Sequence, residues 1–359
     1  MVRQPEPAPG VPDAIPLLSL QGSRFELGLQ HGQSQRAAIH AFLTDRAARV
    51  DALLAAPPTA LARAGVLEQY RGVIAQHLPA MYQELCGLAQ GAEISLAQAL
   101  LLQLRRELVG YSSIRTGGDC TTFGRRQDQR TVLGQTIDLN GDMERELTAM
   151  RVRHAGGGTV LLASFTGLLG YIGMNDRGVG ICLNLVLGGQ WGPGIPGYMA
   201  IRHLLDEAAS VDQCLALLRQ LPLASSRSLT ICDRERLVTV EYIRNDMRVL
   251  EAPLQIHTNH FLDPTLAARD ELNPFARTSS MRRLEACRSG LANLAHDAAP
   301  QQYFDLLGAA PIYVPANADI RRECTVGAVM MWPEAGEMMI RKGDPAAGAS
   351  QSLSCQMQD

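Results

Sequence analysis

The hydrophobic positions change their period about a third of the way along the chain. Residues 17–20 form a short apolar strand. Behind it, Gly22-Ser23 opens a stretch over 24–43 in which Phe25, Leu27, Leu29, Ile39 and Leu43 recur at helical spacing. The same period predicts helices over 61–77, 79–90 and 96–108, the last with Ser95 as its N-cap. From Cys120 onward the period shortens. Strands are expected over 120–124, 131–139, 149–154, 159–166, 178–186, 228–232, 237–243 and 248–251, with turn signals such as Gly156-Gly157-Gly158 and Asn245-Asp246 between them. Helices interrupt at 196–207, 211–221, 279–295 and 300–307, and a hairpin, 324–331 with 337–341, closes the pattern. Strand runs, helix pairs and a return to strands predict an α+β protein of antiparallel sheets covered by helices. Four layers, helix–sheet–sheet–helix, would use this many elements in one structural domain.

Composition narrows the function classes. The 359 residues are 46% hydrophobic and 19% charged, which supplies ample core for one large domain or two smaller ones. A net charge of −3, no basic run longer than a pair and only 5% aromatics argue against a nucleic-acid partner. The longest apolar runs, such as 179–187, reach about half the length of a membrane helix. The Pro-rich lead over 1–12 has no apolar core of a secretory signal, so a cytoplasmic location without membrane contact is expected. Eight cysteines without a CxxC pair are expected to be reduced.

One of those cysteines differs from the rest. Cys182 and Cys232 sit in apolar company and read as small core residues. Cys120 stands instead behind Gly117-Gly118-Asp119 and ahead of Thr121-Thr122, at the start of the strand-rich region. An ordinary thiol has a pKa of about 8.5 and needs a base near neutrality. A chain cut between Asp119 and Cys120 would supply one, because a new α-amine titrates at about 7.7–8.0. The same thiol could make that cut by attacking the carbonyl of Asp119 and passing through a thioester. Gly117 and Gly118 would allow the tight backbone such an attack needs.

Six ordered motifs carry a resemblance over nearly the whole chain. They are Gly22-Ser23-Arg24-Phe25-Glu26-Leu27-Gly28 with His31-Gly32; Glu84 to Ala92; Cys120-Thr121-Thr122; Gly134-Gln135-Thr136-Ile137-Asp138; Gly173 to Val179 followed by Asn184; and His257-Thr258-Asn259-His260-Phe261. Together they resemble the acyl-coenzyme A:6-aminopenicillanic acid (isopenicillin N) acyltransferase-like family of N-terminal-nucleophile (Ntn) hydrolases. The eighteen-residue step from Cys120 to Asp138 is the one this family shows. The resemblance implies the αββα sandwich and a self-processed enzyme. A helical segment, 1–119, would become the α chain and 120–359 the catalytic β chain, the two staying together as a heterodimer or higher oligomer. It also implies Cys120 as nucleophile and base, Asp138 orienting the new terminus, Asn259 serving the oxyanion, and Thr122 assisting cleavage. Asp119 departs from the glycine that the fungal penicillin enzymes carry before the cut.

Other residues carry weaker signals. Asn184, in an apolar strand, reads equally as a backbone partner or a pocket residue beside Thr121. Asn175 and Gly178 read as a tight turn. His257 and His260 have no further ligand in register, so no metal and no cofactor are expected. Arg282 and Arg283 read as the solvated face of a helix. The expected substrate is a small acyl amide or thioester, cleaved through an acyl-enzyme on Cys120. An unprocessed Cys–His hydrolase using His257 or His260, or a silent binding protein of the same fold, are the alternatives.

Overall fold

A computed structural model describes residues 14–54, 57, 59–110, 120–127, 130–295 and 297–356. The expected cut site at Asp119, with Gly117 and Gly118, and the Pro-rich lead lie outside the described residues. The first part runs β1 (Leu17–Gly22), α1 (Arg24–Thr44), α2 (Val50–Leu53), α3 (Ala60–His77), α4 (Pro79–Ala92) and α5 (Leu96–Val109). Then come β2 (Thr122–Gln127), β3 (Arg130–Leu139), β4 (Leu147–His154), β5 (Thr159–Phe165), β6 (Ile172–Asn175) and β7 (Gly180–Leu185). The helices α6 (Gly197–Glu207) and α7 (Val211–Gln220) precede β8 (Ser226–Cys232), β9 (Leu237–Ile243), β10 (Asp246–Glu251) and β11 (Leu254–His257). After α8 (Pro264–Ala267), α9 (Pro274–Ala292) and α10 (Pro300–Gly308), the chain closes with β12 (Cys324–Trp332), β13 (Glu337–Lys342) and β14 (Ser350–Ser354).

Two sheets stack face to face. The first orders its strands β1-β4-β5-β6-β7-β8-β9-β10 and the second β11-β2-β3-β12-β13-β14. Every pairing is antiparallel except β1 with β4. Strands β2 and β3 pack on β7 and β8 across the sandwich; α1 and α6 cover the first sheet, and α9 and α10 the second. The expected four-layer αββα fold of Ntn hydrolases is therefore the observed one. The hairpin and helix periods named most elements to within a few residues. Short β6, β11 and β14 escaped because four or five residues carry too little pattern. Helix α9 starts five residues earlier than expected, where the Asn273 side chain accepts from the backbone of Phe275 and Ala276. Among the described residues no single helix is long and apolar enough to cross a membrane.

The first two motifs have a packing explanation. Helices α1 and α4 cross where Gly28 and Gly32 meet Gly87 and Gly91. A Cβ on Gly28 would stand 1.9 Å from the Glu84 carbonyl oxygen, and one on Gly87 2.1 Å from that of Phe25. Backbone touches backbone here, and no side chain can give way. The buried pair Arg202–Glu84 then joins α4 to α6, with Asp206 accepting from Arg202, Arg24 and His154. Gly87→Ala is expected to lower stability by about 3 kcal/mol, the upper end of overpacking. A urea midpoint equal to that of the unsubstituted protein would contradict this contact.

His31 of α1 is fully buried and bonds Gln35, which reaches Thr148 of β4 and accepts from the Gly167 backbone. Burial lowers its pKa from 6.5 to about 4. Unfolded, the imidazole takes up a proton near 6.5, so between those values added protons favour the unfolded chain. The urea midpoint is expected to fall as pH drops from about 6.5 toward 4, and His31→Gln to flatten part of that fall. The same pH slope in both proteins would refute it.

Candidate active site

Cys120 lies at the head of β2, in the inner layer, and only 5% of it is exposed. Its Sγ sits 3.3 Å from the Asp138 backbone N–H and 3.5 Å from the Asp138 carbonyl oxygen. That N–H can donate to a thiolate and the carbonyl can accept from a thiol, so both protonation states have a partner. The pairing of β2 with β3 enforces this geometry: Thr122 stands opposite Gln135, the Thr136 N–H donates to the Thr121 carbonyl, and the Thr121 N–H donates to Thr136 Oγ1. The Thr136 hydroxyl donates in turn to Asp138 Oδ2 at 3.2 Å. The eighteen-residue step from cysteine to aspartate is thus set by the antiparallel pairing of β2 with β3.

The carbonyl side of Cys120 is held from two layers. Asn184 of β7 donates to the Cys120 carbonyl at 3.1 Å, and Arg283 of α9 donates to the same oxygen at 2.8 Å. Arg283 also donates to Thr121 Oγ1 at 3.1 Å and to Asn259 Oδ1 at 2.9 Å. The expectation that Arg282 and Arg283 form a solvated helix face holds for Arg282 and fails for Arg283, which is 0% exposed. Two adjacent arginines on α9 point to opposite sides, one to solvent and one inward. Periodicity saw a charged pair and had no way to know what lay opposite the second.

Asn259 follows β11 and is fully buried; its side-chain N–H2 donates to the Leu185 carbonyl at 2.9 Å. Arg283 is a pure donor, so it fixes which end of that amide is oxygen. Thr122 is fully buried, its Oγ1 without a hydrogen-bond partner among the described residues. Asp119 lies outside them. Thr121 and Asn184 sit behind Cys120 and do not line the cavity in front of it. Gln135 links the sheets, exchanging two side-chain hydrogen bonds with the backbone of Leu183. Asn175 caps the β6–β7 turn and bonds the end of α6.

Neither histidine reaches the thiol. His257 is flanked by Glu241 Oε1 at 2.8 Å and the Thr258 carbonyl at 2.9 Å, so both ring nitrogens are occupied. His260 Nδ1 faces Ser280 Oγ at 2.7 Å, and burial, reinforced by His257, lowers its pKa to about 4. No group of three metal-ligating side chains exists among the described residues.

A cavity of about 80 Å3, room for several water molecules, opens in front of Cys120 and Asp138. Leu102, Phe165, Leu168, Tyr171, Leu183 and Leu185 give it apolar walls, while Arg105, Arg106, Arg227 and Glu323 bring charge. Six of the twenty lining residues lie ahead of Cys120: Phe42 of α1, Leu53 of α2, and Leu102, Arg105, Arg106 and Val109 of α5. Arg227 pairs with Glu107 of α5 at 2.9 Å, tying the two parts of the chain together at the cavity.

A four-layer αββα sandwich with a thiol at the head of an inner strand is the architecture of Ntn hydrolases. The profile of the family "Acyl-coenzyme A:6-aminopenicillanic acid acyl-transferase" matches residues 125–310, and the chain belongs to that family. The 40 kDa form of acyl-coenzyme A:6-aminopenicillanic-acid-acyltransferase from Emericella nidulans is 24% identical over 278 residues, 76% of this chain and 77% of the relative. Two solved structures are also similar. Conjugated bile acid hydrolase from Clostridium perfringens (variant R18L) is 12% identical, with a TM-score of 0.48, over 66% of this chain and 97% of that one. Penicillin V acylase from Agrobacterium tumefaciens is 12% identical, with a TM-score of 0.46, over 66% and 86%.

Arg283→Met is expected to destabilise the protein by about 1.5–3 kcal/mol for each charge-assisted bond lost. Arg283→Lys, which keeps the charge and loses the fork, should recover only part of it. Urea midpoints of the three proteins measure this, and an unchanged midpoint for Arg283→Met would show that the clamp contributes nothing.

Proposed function

We propose that the protein is a self-processing N-terminal cysteine acyltransferase or amidohydrolase that acts on a small acyl amide or thioester. The observation that carries the reading is how Cys120 is anchored. Arg283 and Asn184 grip its carbonyl and Asp138 brackets its sulfur, so every anchor named lies on the sulfur or the downstream side of the residue. Its placement therefore does not require an intact bond to residue 119. In the processing step, the thiol sulfur attacks the Asp119 carbonyl carbon and the Asp119–Cys120 C–N bond breaks. The nitrogen leaves as the α-amine with a proton, and water then hydrolyses the thioester to free the thiol.

The mature residue carries nucleophile and base together. The amine takes the thiol proton, sulfur attacks the acyl carbonyl, and the resulting ammonium returns the proton to the departing amine. Asp138 orients that ammonium, and the Asn259 amide meets the oxyanion. Water resolves the acyl-enzyme in hydrolysis, and a second amine resolves it in transfer. The curated relative is named an acyl-coenzyme A:6-aminopenicillanic-acid-acyltransferase, which supports an acyl-transfer class for the chain.

Residues 1–119 and 120–359 are then two chains of one fold. Strand β1 in the first sheet, the Arg24 and Glu84 contacts to Asp206 and Arg202, and the Arg227–Glu107 pair supply reasons for them to stay together. On denaturing electrophoresis the protein is expected to run as two fragments whose masses place the cut before Cys120, and Cys120→Ala as one chain. Cleavage of Cys120→Ala at that bond would sink the self-processing reading.

A further inference from the structure

Three arginines line the cavity, and two have employment. Arg227 donates to Glu107 and to the Ser226 carbonyl. Arg105 donates through Nε to the Ala48 carbonyl, and its guanidinium lies over the Phe42 ring at 5.0 Å. Arg106, in the last turn of α5, differs: its Nε and Nη2 are shut off from solvent and have no hydrogen-bond partner among the described residues. A guanidinium stays charged in proteins and carries five donors in a planar fork, so leaving it unpaired is costly. Burial lowers its pKa below the ordinary arginine value, which expresses that cost.

We propose that Arg106 reads a carboxylate on the substrate, in the cavity that it lines together with Cys120, Tyr171 and Tyr198. This rests on the acyl-transfer reading above and names its substrate class. The two rings lie 5.0 Å apart and line the same cavity as Cys120, Asp138 and the three arginines. The acidic groups nearby do not take the place of that carboxylate. Glu107 Oε1 is bound to Arg227 and Ser225, and Nε and Nη2 of Arg106 make no bond to Glu323 or Asp138. The walls between are apolar: Leu102, Phe165, Leu168, Leu183 and Leu185. The ligand that fits is an N-acyl compound with an apolar body and a carboxylate at its far end, met by the fork of Arg106. Because Arg106 precedes Cys120, the segment that is cut off supplies the specificity.

The test uses the processed enzyme and two matched substrate pairs: an N-(ω-carboxyacyl) anilide with its methyl ester, and an N-acyl amino acid with its primary amide. The unsubstituted enzyme is expected to prefer the acid of one pair, and that pair tells whether the carboxylate sits on the acyl or the amine half. Arg106→Met should lower the acid-to-neutral ratio of kcat/KM for that pair about 10- to 100-fold, and Arg106→Lys should restore part of it. A ratio that does not move in Arg106→Met overturns the proposal. If no substrate acylates Cys120 by intact mass, the acyl-transfer reading has failed instead. Calorimetric titration of the same acids and esters then decides Arg106 without turnover: selective loss of acid binding in Arg106→Met supports it, and equal binding refutes it.

Discussion

The carbonyl oxygen of Cys120 is the point on which three of the four layers converge. Asn184 reaches it from the first sheet, Arg283 from the outer helical layer behind the second, and Cys120 itself leads into a strand of that second sheet. A carbonyl buried between apolar sheet faces must be paired or lose its hydration without compensation. Here a charged donor and an amide share it. Arg283 then passes its remaining donors to Thr121 and Asn259, so the residue before β2 and the second residue after β11 are set by one guanidinium. The thiol inherits its position from this anchor and from the Asp138 backbone.

The segment ahead of Cys120 is as much a part of the sandwich as the strands behind it. Its first strand extends the eight-stranded sheet, and α1 and α4 meet backbone to backbone through four glycines. Buried charges then cross to α6 and β8. Breaking one member of such a pair strands the other in a dry interior, which makes separation of the two parts costly. The same arrangement puts helix α5 and its arginines into the wall of the cavity. Structural cohesion and cavity chemistry thus come from the same helices.

Much of this was legible in the sequence because the physics is local. Period and capping gave α1, with Ser23 and Glu26 capping each other as their spacing requires. The turn chemistry of Asn175 to Gly178 and the hairpin from Cys120 to Asp138 are set by neighbours along the chain. Gln135 was visible as a motif residue, but its work of joining β3 to β7 was not, since Leu183 lies far along the chain. Arg283 was misread for the same reason: a charged pair on a helix means solvent on average, and only the packing of α9 turns one member inward.

What the sequence determined alone was an α+β protein of sheets covered by helices, the order of its elements, and a cysteine set apart from seven others by its neighbours; the four-layer class followed from the resemblance its motifs carry. The same resemblance tied Cys120 to Asp138. The tertiary structure decided which side chains hold that cysteine, that His257 and His260 are engaged elsewhere, and that Nε and Nη2 of Arg106 are buried at the cavity wall without a partner among the described residues. These depend on contacts between residues scores of positions apart, whose energies are fixed by burial and by the partners that burial supplies. No local pattern encodes them.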